Sequence, residues 1–171
     1  MDQWYEQSIG GTIHHAFLST LSYHRWHAPV SGKVMKSYLV EGTYFSEPLF
    51  EGLGDPSADS DIHEGGGGET GQGYLKATAK RAIIIFEADN KDLGLVCFMG
   101  FGMTVVSTCE TTVKEGQHVK TGDEISMFHY SGSTHCVIFR KGVELEGFPD
   151  TQNAEHSVPV KAKLATLRKT T

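Results

Sequence analysis

The chain is poor in proline and cysteine, has no long apolar run, and carries no surplus of positive charge. Five prolines in 171 residues leave long stretches free to form regular structure. Three cysteines, Cys97, Cys109 and Cys136, are odd in number and far apart. That argues against a disulfide framework or a zinc knuckle and favours a reducing compartment, so a cytoplasmic location is expected. No stretch reaches the roughly 18 apolar residues of a membrane-spanning helix. The opening Met1-Asp2-Gln3-Trp4 has neither the basic region nor the apolar core of a secretory signal. Acidic residues outnumber basic ones, 21 to 15, for a net charge of −6. This argues against nucleic acid as the main partner and offers anionic lipid no basic patch. There is no His-Glu-x-x-His, and His14 and His15 are adjacent rather than one helical turn apart, so a metal hydrolase is poorly supported and no metal is expected. Gly65-Gly66-Gly67-Gly68 lacks the Lys-Ser or Lys-Thr of a phosphate loop.

Glycine is what the chain has in quantity. Twenty glycines point to many turns, and hence to β structure. The length suits a single domain, 1–171. A short helix is expected within Met1–Thr20, interrupted by Gly10-Gly11. Strands are expected at Val34–Tyr44, with Gly42 as a turn, and at Arg81–Glu87, Leu93–Met99 and Met103–Thr108. Gly100-Phe101-Gly102 signals a bulge or a close backbone approach. Residues 47–73 are acidic, glycine-rich and poor in large apolar side chains, which reads as a mobile surface loop. Val137–Phe139 closes the β core, and Gly147–Thr171 reads as a short strand and a loose tail.

Two segments carry chemistry. The first is Gly132-Ser133-Thr134, set between short apolar runs. Glycine reaches conformations closed to other residues, so the Ser133 hydroxyl could approach the Gly132 carbonyl. Attack there, aided by a base, breaks the peptide C–N bond and forms an ester, leaving the residue 133 nitrogen as an amine. β-Elimination then breaks the Cβ–O bond, giving a carboxylate on Gly132 and a dehydroalanine at 133. Hydrolysis releases ammonia and leaves a pyruvoyl ketone. The plain alternative is a turn in a β-hairpin. The second segment is Tyr23-His24-Arg25-Trp26-His27-Ala28-Pro29. On a helical turn His24 and His27 would share a face, and either is a base near neutral pH. Here the plain alternative is two ordinary, partly buried histidines. Cys136 beside His135 raises nucleophilic thiol chemistry, although a cysteine on a β core is more often simply buried.

These segments occur together with Gly116-Gln117-His118-Val119-Lys120-Thr121-Gly122-Asp123-Glu124. Jointly they resemble the Tyr-His-Arg-x-His-x-Pro, Gly-x-x-Val-x-x-Gly-Asp-Glu and Gly-Ser-Thr/Ser motifs of the phosphatidylserine decarboxylase family, over about Phe17–Gly142. Arg81 resembles a family arginine on an earlier strand. Cys109 and Phe128-His129 are most similar to the soluble fungal branch, which includes L-tryptophan decarboxylases. Ala28–Val34 and Thr112–Ile125 resemble the hammerhead halves of a biotinyl/lipoyl-type β-barrel-sandwich, but without the lysine of a swinging-arm carrier.

The resemblance implies a mainly β fold with minor α, and a zymogen that cuts itself between Gly132 and Ser133. It further implies a pyruvoyl cofactor made from Ser133, with Thr134 and Arg81 supporting. A substrate amine, from phosphatidylserine or an aromatic L-amino acid such as tryptophan, would condense with the ketone as a Schiff base and lose carbon dioxide. By motif match His27 is the base for self-cleavage and His24 the proton donor in decarboxylation, with the roles exchangeable. A homodimer is implied as well. The family places an aspartate upstream of the His motif to orient the processing base. Asp2 is the only aspartate before His24, and its surroundings do not match. A truncated chain is therefore expected, with a non-cleaving binding or scaffold module as the alternative.

Overall fold

The structure is a computed structural model. It describes residues 4–18, 23–43, 76–102, 108–129, 133–149 and 158–168. The loop read at 47–73, the residues 130–132 ahead of Ser133, and most of the strand expected at Met103–Thr108 lie outside the described residues.

Among the described residues a short helix, α1 (Trp4–Ser8), is followed by eleven strands. Six form one antiparallel sheet in the order β1 (Thr12–Leu18), β9 (Ser133–Phe139), β5 (Leu95–Gly102), β4 (Arg81–Ala88), β3 (Gly32–Val40) and β7 (His118–Val119). Three more, β2 (Arg25–His27), β8 (Glu124–His129) and β6 (Thr108–Thr111), form a second sheet in that order. β10 (Leu145–Glu146) pairs with β11 (Thr166–Leu167), the short strand expected near the end. The fold is thus mainly β with little helix. Among the described residues its sheets are antiparallel and open and do not close into the barrel that the biotinyl/lipoyl-type resemblance implies.

Why these segments form strands is visible in their burial. β4 reads Arg-Ala-Ile-Ile-Ile-Phe-Glu-Ala, β-branched and aromatic, and is buried on both faces. Its even-numbered residues Ala82, Ile84 and Phe86 enter the main core with Val96, Phe98, Val137 and Phe139. Its odd-numbered Ile83 and Ile85 join Cys97 in a smaller cluster, against which Trp4 of α1 packs. β9 lies between β1 and β5, with Ser133 opposite Leu18 on one side and Gly102 on the other.

The expected N-terminal helix is only one turn and a half long. Gly10 turns the chain at φ 74°. A Cβ on Gly11 would stand 2.0 Å from the Phe139 carbonyl, so only glycine permits β1 to begin there beside β9. The two hammerhead-like segments do meet. Ala28 N–H donates to Asp123 O at 2.8 Å, Gly122 N–H to Ala28 O at 2.9 Å, and Val34 N–H to Gln117 O at 2.8 Å. Gly116 and Gly122, at φ 87° and 86°, make the tight turns between them.

β5 runs through Gly100-Phe101-Gly102 with its pairing to β4 and β9 unbroken, so these glycines mark a close approach and not a bulge. The approach is that of Trp26 from the second sheet. Its Cη2 and Cζ2 atoms lie 2.6 Å from where a Gly100 Cβ would stand. Cys109 Sγ–H, from β6, donates to the Gly100 carbonyl at 3.9 Å. The replacement Gly100→Ala is therefore expected to push the two sheets apart and destabilise the fold by about 1–3 kcal/mol. Urea unfolding checks this, and an unchanged midpoint would contradict the packing.

Candidate functional site

Ser133 opens β9 with its side chain on the face that meets the second sheet. Odd-numbered β9 residues, from Ser133 through His135 to Phe139, share that face, while Thr134, Cys136 and Ile138 lie on the other. Ser133 is fully buried, and its hydroxyl has no hydrogen-bond partner among the described residues. Its β5 neighbour, Gly102, presents no side chain to it. A buried hydroxyl without a partner is rare and costs about 1–3 kcal/mol.

Thr134 points the other way and is fastened there. Its Oγ1–H donates to Ala16 O at 3.0 Å, and His15 Nε2–H donates to Thr134 Oγ1. The second residue after the expected cut is thus anchored to the edge strand β1 on the side away from Ser133's face. Sequence reading treated His15 only as a failed metal motif. The spacing of Ile9, Ile13 and Phe17 fits a helix, so nothing local points to the strand β1 that puts His15 beside Thr134.

An aromatic chain joins the two motif segments. His24 meets Phe128 edge-on at 6.4 Å, and Phe128 meets Trp26 at 4.4 Å. Trp26 meets Phe98 at 5.3 Å, and Phe98 stacks on His135 at 5.5 Å. His24 is therefore linked through rings to the residue two places beyond Ser133. Its own carbonyl accepts from Phe128 N–H at 3.0 Å.

His24 and His27 do not share a helical face, because the segment is extended and pairs with β8. His24 lies beside Phe128, at the end of β8 that leads toward Ser133. His27 pairs with Glu124, four residues back and about 13 Å along the strand. His27 Nδ1 lies 3.0 Å from the Gly122 carbonyl, to which it must donate. In the neutral ring Nε2 is then the acceptor, and Tyr23 O–H donates to it at 2.8 Å. Arg25, between the two, is paired with Glu124.

Arg81 stands on the face opposite Ser133. Cross-strand pairing runs Arg81 to Phe101 to Thr134, which puts Arg81 two strands from Thr134 on the same rung, about 10 Å away. Its guanidinium donates to Ala79 O at 3.1 Å and Ala77 O at 3.3 Å. Gly132 lies outside the described residues.

Cys136 and His135 are consecutive in a strand and so point to opposite faces, which removes the thiol–imidazole pair. Burial also raises the Cys136 thiol pKa, which disfavours a thiolate. Burial pushes Cys97 and Cys109 up to about 12 and about 11. Among the described residues no group of three His, Cys, Asp or Glu side chains is placed to hold a metal ion. No helix among them is long and apolar enough to cross a membrane. A cleft of about 460 Å³ lined by Asp92, Arg140, Glu144 and Arg168 lies beyond the far end of β9, about 20 Å along the strand from Ser133. It is not part of this site.

With this geometry in place, the comparisons with known proteins identify the class. The family model for phosphatidylserine decarboxylase matches residues 2–164. The chain belongs to the phosphatidylserine decarboxylase family. It is 44% identical over 137 residues to the decarboxylase iboD of Amanita muscaria, covering 78% of this chain and 39% of that protein. It is 42% identical over 151 residues to an L-tryptophan decarboxylase of Psilocybe cubensis, covering 85% and 33%. A phosphatidylserine decarboxylase proenzyme of Ruminiclostridium cellulolyticum is 33% identical over 134 residues, covering 78% and 38%. The chain thus spans between a third and two fifths of the length of these relatives.

His135 yields a test of this geometry. Its pKa is lowered to about 4, first by burial and then by the nearby His14 and His15. The unfolded chain, with an ordinary histidine near 6.5, binds the proton more readily. Stability contributed by the neutral ring is therefore complete above pH 6.5 and falls as pH drops toward 4. Between pH 6.5 and 4.5 this loss should come to about 2 kcal/mol, and His135→Phe should lose correspondingly less over the same range. Urea midpoints across that range check it. Identical slopes for the two proteins would place His135 in water.

Proposed function

We propose that this chain is the processing and catalytic segment of a pyruvoyl-dependent carboxy-lyase, cut by itself between Gly132 and Ser133. The observation that carries the reading is Ser133. It is a buried serine with an unpartnered hydroxyl, facing a bare glycine, at the start of a strand anchored by the next residue. Those residues fit the group. Ser133 is the precursor, Gly102 leaves room at its face, and Thr134 holds the backbone while the Gly132–Ser133 peptide rearranges. When formed, the ketone supplies an electron sink for loss of carbon dioxide from an amino acid.

The chain's own residues do the rest. His27 has its tautomer fixed by the Gly122 carbonyl, so Nε2 is the basic nitrogen, as a proton acceptor requires. His24 lies nearer the end of β8 that leads to Ser133 and moves the proton in decarboxylation. Thr134 and Arg81 act from the opposite face, by holding strands rather than touching the reacting atoms. The substrate is a free aromatic L-amino acid, with tryptophan first and phosphatidylserine second. The 42% identity to an L-tryptophan decarboxylase, against 33% to a phosphatidylserine decarboxylase proenzyme, supports that order.

Intact-mass measurement of the purified chain tests the reading. Two fragments meeting between 132 and 133 are expected, the smaller blocked at its N-terminus and reactive toward hydrazine, while Ser133→Ala stays whole. Removing a general base costs about 10²–10⁴-fold. His27→Ala should slow cleavage by that much, and His24→Ala should cut normally yet fail to release carbon dioxide from tryptophan. The reverse pattern would exchange the two roles. A single uncut mass that persists on incubation would leave a non-cleaving binding relative.

A further inference from the structure

Among the described residues, Trp26, Ser126 and Ser133 each bury a polar atom without a hydrogen-bond partner on strands that face each other across the two sheets. Trp26 is 3% exposed and its Nε1–H has no partner; Ser126 is fully buried and its Oγ has none; Ser133 is the third. Trp26 and Ser126 are direct cross-strand partners, so their side chains stand side by side on one face of the second sheet. That face is turned to β5, because Trp26 Cε2, the carbon bonded to Nε1, lies 3.1 Å from where a Gly100 Cβ would be. Gly100 pairs with His135, and Gly102, one pleat further, pairs with Ser133. Two residues along a strand span about 7 Å. The Trp26 ring thus lies against β5 one pleat from Gly102, the cross-strand partner of Ser133, over strand positions that carry no side chains. The other unpartnered atoms, His14 Nδ1 beside Phe148 and Ser37 Oγ on β3, belong to other places in the fold.

We propose that Trp26 Nε1–H and Ser126 Oγ–H are the carboxylate-holding pair of the substrate site. An indole N–H can only donate, and a serine hydroxyl can donate, so the missing partner is an acceptor. Phe98 and Phe128 on either side of the indole make the surroundings apolar, which suits a small planar anion held by hydrogen bonds. Two neutral donors orient a carboxylate without pairing it to a fixed cation. Its negative charge is then free to move onto the α-carbon side as the C–C bond breaks and neutral carbon dioxide leaves, whereas an ion pair would favour the ground state. In the motif Tyr-His-Arg-x-His, Trp26 occupies the position the motif leaves open, which makes it a residue that can set substrate choice. The inference rests on the decarboxylase reading for the identity of the ligand.

The chain has two tryptophans, Trp4 and Trp26, so ¹⁵N-labelled protein gives two indole N–H signals, and Trp26→Phe assigns them. Unlabelled L-tryptophan and 3-indolepropionate, which carry a carboxylate, are expected to shift the Trp26 signal downfield. Tryptamine, which lacks it, is not. Ser126→Ala should weaken the response to both carboxylates about tenfold, as loss of one good hydrogen bond does. A Trp26 signal unmoved by both carboxylates, or moved equally by tryptamine, would overturn the proposal, as would one that exchanges with water and ignores all three ligands. Mass and signal are read on the same sample. An uncut chain whose Trp26 signal responds to carboxylates sinks self-processing and keeps this site; a cut chain whose signal is silent does the reverse.

Discussion

The contact between Trp26 and the bare backbone of Gly100 holds the two sheets in register, and the chemistry of the site follows from it. A methyl group on Gly100 would overlap the indole, so the approach exists only because glycine occupies that position. The same contact gathers Cys109, whose thiol donates to the Gly100 carbonyl, and Phe128, which meets the indole edge-on. One residue of the His-containing motif is thereby pressed against the strand next to the one that Ser133 begins. Segments more than a hundred positions apart in sequence meet through a single ring.

That arrangement has a cost. Ser133, Ser126 and Trp26 are buried with polar atoms unpartnered among the described residues. Each such atom forfeits about 1–3 kcal/mol relative to a satisfied one. Folded proteins seldom leave several together unless the place serves another purpose. Here these three belong to strands on the facing sides of the two sheets. On the opposite face of β9, Thr134 is hydrogen-bonded twice and Cys136 is simply buried. The two faces of this one strand therefore differ: one is anchored by hydrogen bonds, and the other carries the unpartnered Ser133 hydroxyl.

Much of this was legible from the residue pattern. The β-branched run of β4 announced a buried strand, and the paired glycines of β5 announced a bulge or a close approach, of which the unbroken pairing leaves the second. The Gly-turn spacing around Gly116 and Gly122 announced two tight connections. What failed did so for identifiable reasons. The segment around His24 and His27 carries a spacing that fits a helical turn as well as an extended one, and pairing with β8 decided for the latter. His15, His135 and Ser126 gave no local signal, because each matters only through a residue on another strand.

Sequence by itself determined the family, the position of the Gly-Ser step and the predominance of β structure. Those are written in short-range patterns of residue type that survive without knowledge of partners. Tertiary structure alone decided which face Ser133 occupies, that Cys136 and His135 point apart, that His27 is held in one tautomer by the Gly122 carbonyl, and that Trp26 packs against the strand next to the one Ser133 begins. Strand register is the reason. A shift by one residue would turn every one of those side chains to the opposite face, and register is fixed by pairing between segments that lie far apart in the chain.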